Sequence, residues 1–336
     1  MATRENFGTA PDGSPVERVT LKGGGLTLNL LSWGIVVQDL RLAGHEPPLV
    51  LGYPDFEPYR ANNFYLGTTA GRYANRIGQG RFTLDGNSYQ LDRNFLGKHC
   101  LHGGSNGIAK RNWRFAEVTA DKATLELTEP DGNMGFPGTC RFEAIFSLPG
   151  DGVLAIEYRA VTDAPTLVNL AHHSYFNLDG GDDVLGHAFE IDAEAWVKLD
   201  DELIPTGEIA LVAGTERDFS TMRVLGPDGP PSVIHDQNYC IAGQRGPIQK
   251  CARVRSPLSG VTMEVATTEP GLQFYAGHKL DTAEPGLTGK PYKAFAGFCM
   301  EPQIWPDSPN HRHFPQAVLR PGENYRQQST FRFFKD

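Results

Sequence analysis

A carboxylate that ends an apolar run is the first group in this chain whose setting suggests acid–base chemistry. In Phe298-Cys299-Met300-Glu301-Pro302-Gln303-Ile304-Trp305-Pro306-Asp307, Glu301 follows Phe295 and Phe298 and precedes two prolines and a tryptophan. Partial burial there raises a carboxyl above its ordinary value of about 4.3 and makes it a better proton acceptor at neutral pH. A second cluster, Asn169-Leu170-Ala171-His172-His173-Ser174-Tyr175-Phe176-Asn177-Leu178, packs two histidines, two aromatics and two asparagines together. That mixture suits a sugar, whose C–H faces lie on aromatic rings and whose hydroxyls need oriented polar partners. Both clusters also admit a structural reading: a strand-end Glu paired with an arginine, and a core histidine hydrogen-bonded among packing aromatics.

Two further segments carry groups of the same kind. Gly71-Arg72-Tyr73-Ala74-Asn75-Arg76-Ile77 sets two arginines around an asparagine in apolar surroundings, where a planar guanidinium fork could reach ligand oxygens or close an ion pair. Cys100-Leu101-His102-Gly103-Gly104 places an imidazole before two glycines that would let backbone approach a ligand.

The elements that must hold these groups read as strands. Leu154, Ile156, Tyr158 and Ala160 alternate with polar neighbours, as do Ala123, Leu125 and Leu127. Near the end, Tyr325, Phe331 and Phe333 share one parity while Arg326, Gln328, Thr330 and Arg332 share the other. Asp-Gly pairs such as Asp12-Gly13, Asp85-Gly86 and Asp151-Gly152 fall between such runs and signal tight hairpins. No segment keeps a clean helical stripe between a cap and a stop, and 38 Gly and 24 Pro interrupt every candidate. An all-β, large antiparallel sandwich with few short helices is predicted, as a single domain over 1–336 without linker or repeat.

Composition excludes several function classes. The net charge of −9 is spread without a basic stripe, so nucleic acid and anionic membranes are disfavoured as partners. The opening residues have no signal-peptide core and no eighteen apolar residues run together, which predicts a cytoplasmic location. The five cysteines are scattered with no C-x-x-C pair and read as reduced packing residues. His311-Arg312-His313 has the spacing of a metal pair, but no carboxylate follows closely, so no metal is expected. Neither a G-x-S-x-G elbow nor a phosphate- or dinucleotide-binding glycine motif occurs.

Taken in order, Gly71–Ile77, Leu101–Gly104, His173–Leu178, Asp236-Gln237-Asn238-Tyr239, Pro270-Gly271-Leu272-Gln273-Phe274-Tyr275, Glu301–Asp307 and Leu319-Arg320-Pro321-Gly322-Glu323 resemble the aldose 1-epimerase (galactose mutarotase) family. The resemblance implies a galactose mutarotase-like β-supersandwich and an isomerase that interconverts the α and β anomers of free aldohexoses such as glucose and galactose, without a cofactor. It implies that Glu301 is the general base at the C1 hydroxyl and His173 the general acid at the ring oxygen. Asn75, Arg76, His102, Tyr175, Asp236 and Gln273 would bind the substrate. Such chemistry wants an imidazole near its usual 6.5 opposite a desolvated carboxylate, with acid and base flanking one ring from opposite edges. The expected partner is a small monosaccharide, and the expected assembly a monomer or homodimer.

Three alternatives stay open at the level of sequence: a non-catalytic carbohydrate-binding protein of the same fold, a glycoside hydrolase using Glu301 and Asp236, and a hexose-6-phosphate 1-epimerase, which would want extra cations near C6. The chain also departs from the family pattern. His172 stands where members often have Asn, and Pro302 where they often have Thr, so the surroundings of both catalytic groups are altered.

Overall fold

The computed structural model describes residues 3–61 and 64–335. Alternation builds its largest element, a nine-stranded antiparallel sheet. In order across the sheet its strands are Arg114–Val118, Lys122–Glu129, Cys140–Gly150, Val153–Thr162, Tyr325–Lys335, Val261–Thr267, Gln249–Arg255, Ala188–Ile191 and Arg223–Val224. In Val153–Thr162 the residues Leu154, Ile156, Tyr158 and Ala160 are buried, as the period-two pattern requires. Tyr325–Lys335 buries Tyr325, Phe331 and Phe333 and lies in the middle of the sheet, pairing with Val153–Thr162 on one side and Val261–Thr267 on the other.

A four-stranded sheet (Thr3–Thr9, Pro15–Gly23, Leu26–Leu31, Val37–Leu42) and a five-stranded sheet complete the larger layers. The five-stranded sheet runs Pro205–Leu211, Ala195–Leu199, Asp236–Cys240, Gly271–Tyr275 and Cys299–Gln303. Pro302 lies on its edge strand, where a missing N–H breaks no ladder. Among the described residues the only α-helix is Glu57–Ala61, with a few single 3-10 turns, as the glycine and proline spacing predicts.

Hairpins form where Asp-Gly pairs were expected. Asp85-Gly86 joins Arg81–Leu84 to Asn87–Gln90, and Asp151-Gly152 joins Cys140–Gly150 to Val153–Thr162. Both residues of each pair have positive φ, which matches the twist of the strands they connect. One apolar cluster draws residues from Val19 in the four-stranded sheet to Phe274 and Met300 in the five-stranded sheet and Phe333 in the nine-stranded one. The larger sheets therefore share one buried interior. No helix among the described residues is long and apolar enough to cross a membrane.

Candidate active site

Three neighbouring strands bring the sequence-distant carboxylates together. Asp236–Cys240 pairs with Gly271–Tyr275, which pairs with Cys299–Gln303, and the register sets Gln273 directly opposite Glu301. His173 follows the two-residue strand Ala171–His172; its backbone N–H donates to the carbonyl of Thr68 at 2.8 Å and its own carbonyl accepts from Gly67 at 3.0 Å. Arg76 opens the strand Arg76–Ile77, with Asn75 just before it, and this strand pairs with Cys100–Leu101, which leads into His102.

These elements enclose a cleft of about 200 Å³ lined by every residue expected at the site: Asn75, Arg76, His102, His173, Tyr175, Asp236, Gln273 and Glu301. Glu301 is 2% exposed and its Oε1 lies 3.7 Å from Nε2 of His173. Its Oε2 is buried with no hydrogen-bond partner. Burial, and then the charge of Asp236, hold the Glu301 carboxyl well above the usual carboxylate range, with Arg76 opposing. Burial also pushes the His173 imidazole down to about 4, against the raising effect of its own backbone carbonyl and of Asp236. An imidazole near 6.5 is therefore not what the cleft holds, because the ring has lost its water. Nor do His173 and Glu301, the expected acid and base, face each other across the cleft; at 3.7 Å they stand side by side.

His102 is fixed by a reciprocal pair of bonds. Its backbone N–H donates to the Asn75 carbonyl at 3.0 Å, and its Nδ1 accepts the Asn75 backbone N–H at 3.1 Å. A backbone amide only donates, so Nδ1 must be bare and the proton must sit on Nε2. Burial, His173 and Arg76 together lower its pKa well below the ordinary value, so His102 is a neutral donor. Both Asn75 (φ 64°) and His102 (φ 51°) hold left-handed backbone conformations, which non-glycine residues keep only where surroundings enforce them.

Asp236 accepts from Nε2 of Gln273 at 2.7 Å and from Nη2 of Arg76 at 3.4 Å. The Arg76 guanidinium also lies 4.8 Å from the centre of the Phe95 ring. Tyr175 donates its hydroxyl to the Phe64 carbonyl at 2.9 Å, so what it turns to the cleft is its ring, 5.3 Å from that of His173.

The two arginines of Gly71–Ile77 part company. Arg76 enters the cleft, whereas Arg72 is fully buried in the core, donating to Glu129 at 3.0 Å and to the carbonyls of Pro137 and Gly138. Gly103 does not serve a ligand: a Cβ there would meet the Gly71 carbonyl oxygen at 2.1 Å, so the glycine allows two backbone segments to cross. His311 and His313 reach the carbonyls of Pro205 and Gly207 at 3.2 and 2.9 Å, a structural tie. The cysteines are free and, Cys240 apart, buried. His172 is buried among Phe146, Phe176 and Phe331, with neither ring nitrogen bonded.

Sequence reasoning missed Phe64, Tyr65, Phe95 and Lys279, which also line the cleft. They come from loops without periodicity. Leu101 and Tyr275 lay inside the motifs but were given no role. The Tyr65 ring lies 4.5 Å from that of His102, and Lys279 is an exposed residue of the lining.

Comparison with known proteins agrees with this picture. A family model described as Aldose 1-epimerase matches residues 17–332. The chain is 39% identical to the galactose mutarotase of Bos taurus, over 98% of each chain. It is 34% identical to the aldose 1-epimerase of Escherichia coli (strain K12), over 97% of this chain and 98% of that one. A solved aldose epimerase homologue from C. elegans superposes with a TM-score of 0.89 at 31% identity, covering 95% of this chain and 99% of its own.

Proposed function

The chain belongs to the aldose 1-epimerase family, and from that premise we propose that it interconverts the α and β anomers of free aldohexoses, with Glu301 as base and His173 as acid. Glu301 takes the proton of the C1 hydroxyl; as C1 becomes a carbonyl carbon, its bond to the ring oxygen breaks and that oxygen takes the proton on Nε2 of His173. The open aldehyde turns about C1–C2. The former ring oxygen then adds to the other carbonyl face and returns its proton to His173, while Glu301 returns its own to O1. Nothing is oxidised or reduced, and each group contributes about 10²–10⁴-fold.

The observation that carries this reading is the 3.7 Å approach of His173 Nε2 to Glu301 Oε1. O1 and the ring oxygen are bonded to one carbon, so a base for the first and an acid for the second must be neighbours. Burial of both groups adds direction. Ring opening starts from carboxylate and imidazolium and ends with carboxyl and imidazole, and a dry site favours the uncharged pair. His102 and Arg76, with Asn75 behind them, are the donors for charge developing around C1 and the ring oxygen. Asp236 and Gln273 suit the sugar hydroxyls, and Tyr175 offers an aromatic face.

The common apolar interior supports reading 1–336 as one domain. Five unpaired cysteines support a reducing, cytoplasmic location. Polarimetry on freshly dissolved α-glucose or α-galactose tests the function: the protein accelerates the drift of optical rotation, and an unchanged drift with both sugars overturns the proposal. A second reading follows from Lys279, an exposed lysine of the cleft lining that could meet an anionic substituent. Competition by glucose 6-phosphate decides between free and phosphorylated aldoses.

A further inference from the structure

An enzyme that equilibrates anomers must admit O1 on either face of C1, and the base in this cleft has an oxygen to offer each. Glu301 is 2% exposed; its Oε1 lies 3.7 Å from Nε2 of His173, while its Oε2 is buried and finds no hydrogen-bond partner among the described residues. A buried oxygen without a partner is costly, and a bound hydroxyl or water relieves that cost. A cleft that takes O1 first on one face and then on the other has a place for an oxygen on each. A sugar carbon that carries two such oxygens besides the ring oxygen is the hydrate of an aldono-1,5-lactone.

We propose that the same site hydrolyses aldono-1,5-lactones to aldonic acids, with Glu301 activating a water at C1 and His173 protonating the ring oxygen. This rests on the reading of Glu301 and His173 as base and acid, but its product, a carboxylic acid, is one that anomer exchange never forms.

Water is the only co-reactant. It gives a proton to the Glu301 carboxylate and forms a bond to C1, while the carbonyl π pair moves to O1, which takes the proton on Nε2 of His173. The pair is then carboxyl and imidazole. A proton passing back from Oε1 to Nε2 restores carboxylate and imidazolium, and C1 holds two hydroxyls and the ring oxygen. It now opens as an aldose opens. Glu301 takes the proton of one hydroxyl, the bond from C1 to the ring oxygen breaks with its electron pair going to oxygen, and that oxygen takes the proton from His173. C1 becomes a carboxyl where the aldose gives an aldehyde, and nothing is oxidised or reduced.

The lining favours the first step. His102, neutral with its proton on Nε2, and Arg76 are donors for O1 as it gains charge. Burial holds the Glu301 carboxyl well above the usual range, so its carboxylate is a stronger base toward water than an exposed one. The product is also driven out: an ionised aldonate adds a negative charge beside Glu301 and Asp236, which both line the cleft, and like charges repel most where water is scarce. Lactone opening therefore runs one way, where anomer exchange runs both.

Acid release from glucono-1,5-lactone, followed by pH-stat titration beside a protein-free control, tests the proposal. Wild type is expected to raise the rate by about tenfold or more, in proportion to protein and saturating with lactone, and Glu301→Gln and His173→Asn to lower the catalysed rate by about 10²-fold or more each. Galactose is expected to inhibit the release competitively, with an inhibition constant equal to its KM for mutarotation. Release at the protein-free rate, release that either variant leaves intact, or release that galactose does not inhibit would overturn the proposal. The galactose competition needs only wild type, so it decides even if the variants fail to fold. Polarimetry on α-galactose with the same samples separates the two activities: faster drift without acid release removes the lactonase and leaves the anomerase, and acid release without faster drift does the reverse.

Discussion

Nε2 of His173 and Oε1 of Glu301 lie 3.7 Å apart, and both side chains are buried, so in the proposed mechanism the two act as one unit that exchanges a proton with two oxygens of one carbon. Glu301→Gln and His173→Asn are each expected to lower kcat by about 10²–10⁴-fold. The double variant is expected to lose little beyond the worse single one, because removing either member already stops the exchange. Polarimetric rates on α-galactose check this; fully additive losses would mean that the groups act independently.

The pair is active when it holds one proton. Burial lowers His173 to about 4 and raises Glu301 well above the carboxylate range, so a second proton arrives only below about pH 4 and the single one leaves only above the ordinary range of a carboxyl. The profile of kcat/KM is therefore expected to be a bell whose acid limb lies near 4, below the ordinary histidine value of about 6.5, and whose alkaline limb belongs to Glu301. An acid limb at about 6.5 in the free enzyme would assign it to an exposed imidazole rather than to the buried His173.

Asp236 joins substrate binding to this proton balance. It accepts from Gln273 and Arg76, and its charge raises both Glu301 and His173. Asp236→Asn is expected to raise KM by about tenfold through the loss of a charged hydrogen-bond acceptor. It also moves both limbs of the pH profile to lower pH, since the raising charge is gone and Arg76 is released from its ion pair. A rise in KM with both limbs unmoved would show that Asp236 grips the sugar alone.

Much of the fold could be read from local pattern. The alternation in Val153–Thr162 and the Asp-Gly pairs at 85 and 151 named strands and hairpins that the molecule forms. Position in the sheet could not be read this way: nothing near Tyr325–Lys335 says that it will lie between Val153–Thr162 and Val261–Thr267, because those pairings join distant segments. The same holds at the site. Arg72 and Arg76 have similar neighbours in sequence, and their separate fates are decided by Glu129 and Asp236, both remote along the chain. The lowered His173 is likewise a product of burial supplied by other segments, which a residue's type does not encode.

Burial of Glu301 has a cost in stability. Its folded pKa lies above the unfolded one, so the carboxyl's contribution is fully present below about 4.5 and is lost as pH rises toward the folded value. Glutamine mimics the protonated acid without titrating. Glu301→Gln is therefore expected to raise stability by about 1 kcal/mol at neutral pH while abolishing turnover, with the gain vanishing in acid. Urea melts at pH 4 and pH 7 read the difference; an equal change at both would place its origin in packing.

The buried histidines act in the opposite sense. Burial holds His172 and His235 at about 3 and His187 at about 4, all below the ordinary unfolded value. Their contribution is fully present above about pH 6.5 and is lost as pH falls toward the folded values, at up to about 1.4 kcal/mol per pH unit for each. His172 is the clearest test, because Phe146, Phe176 and Phe331 surround it and neither of its nitrogens finds a partner. Replacing it with leucine removes two unsatisfied polar atoms and one titrating group at similar volume. His172→Leu is expected to raise stability by about 1 kcal/mol at neutral pH and to make thermal unfolding less sensitive to acid between pH 6.5 and 4. A destabilised variant with unchanged pH dependence would mean that the imidazole is satisfied in solution, by water that reaches it through the aromatic cage.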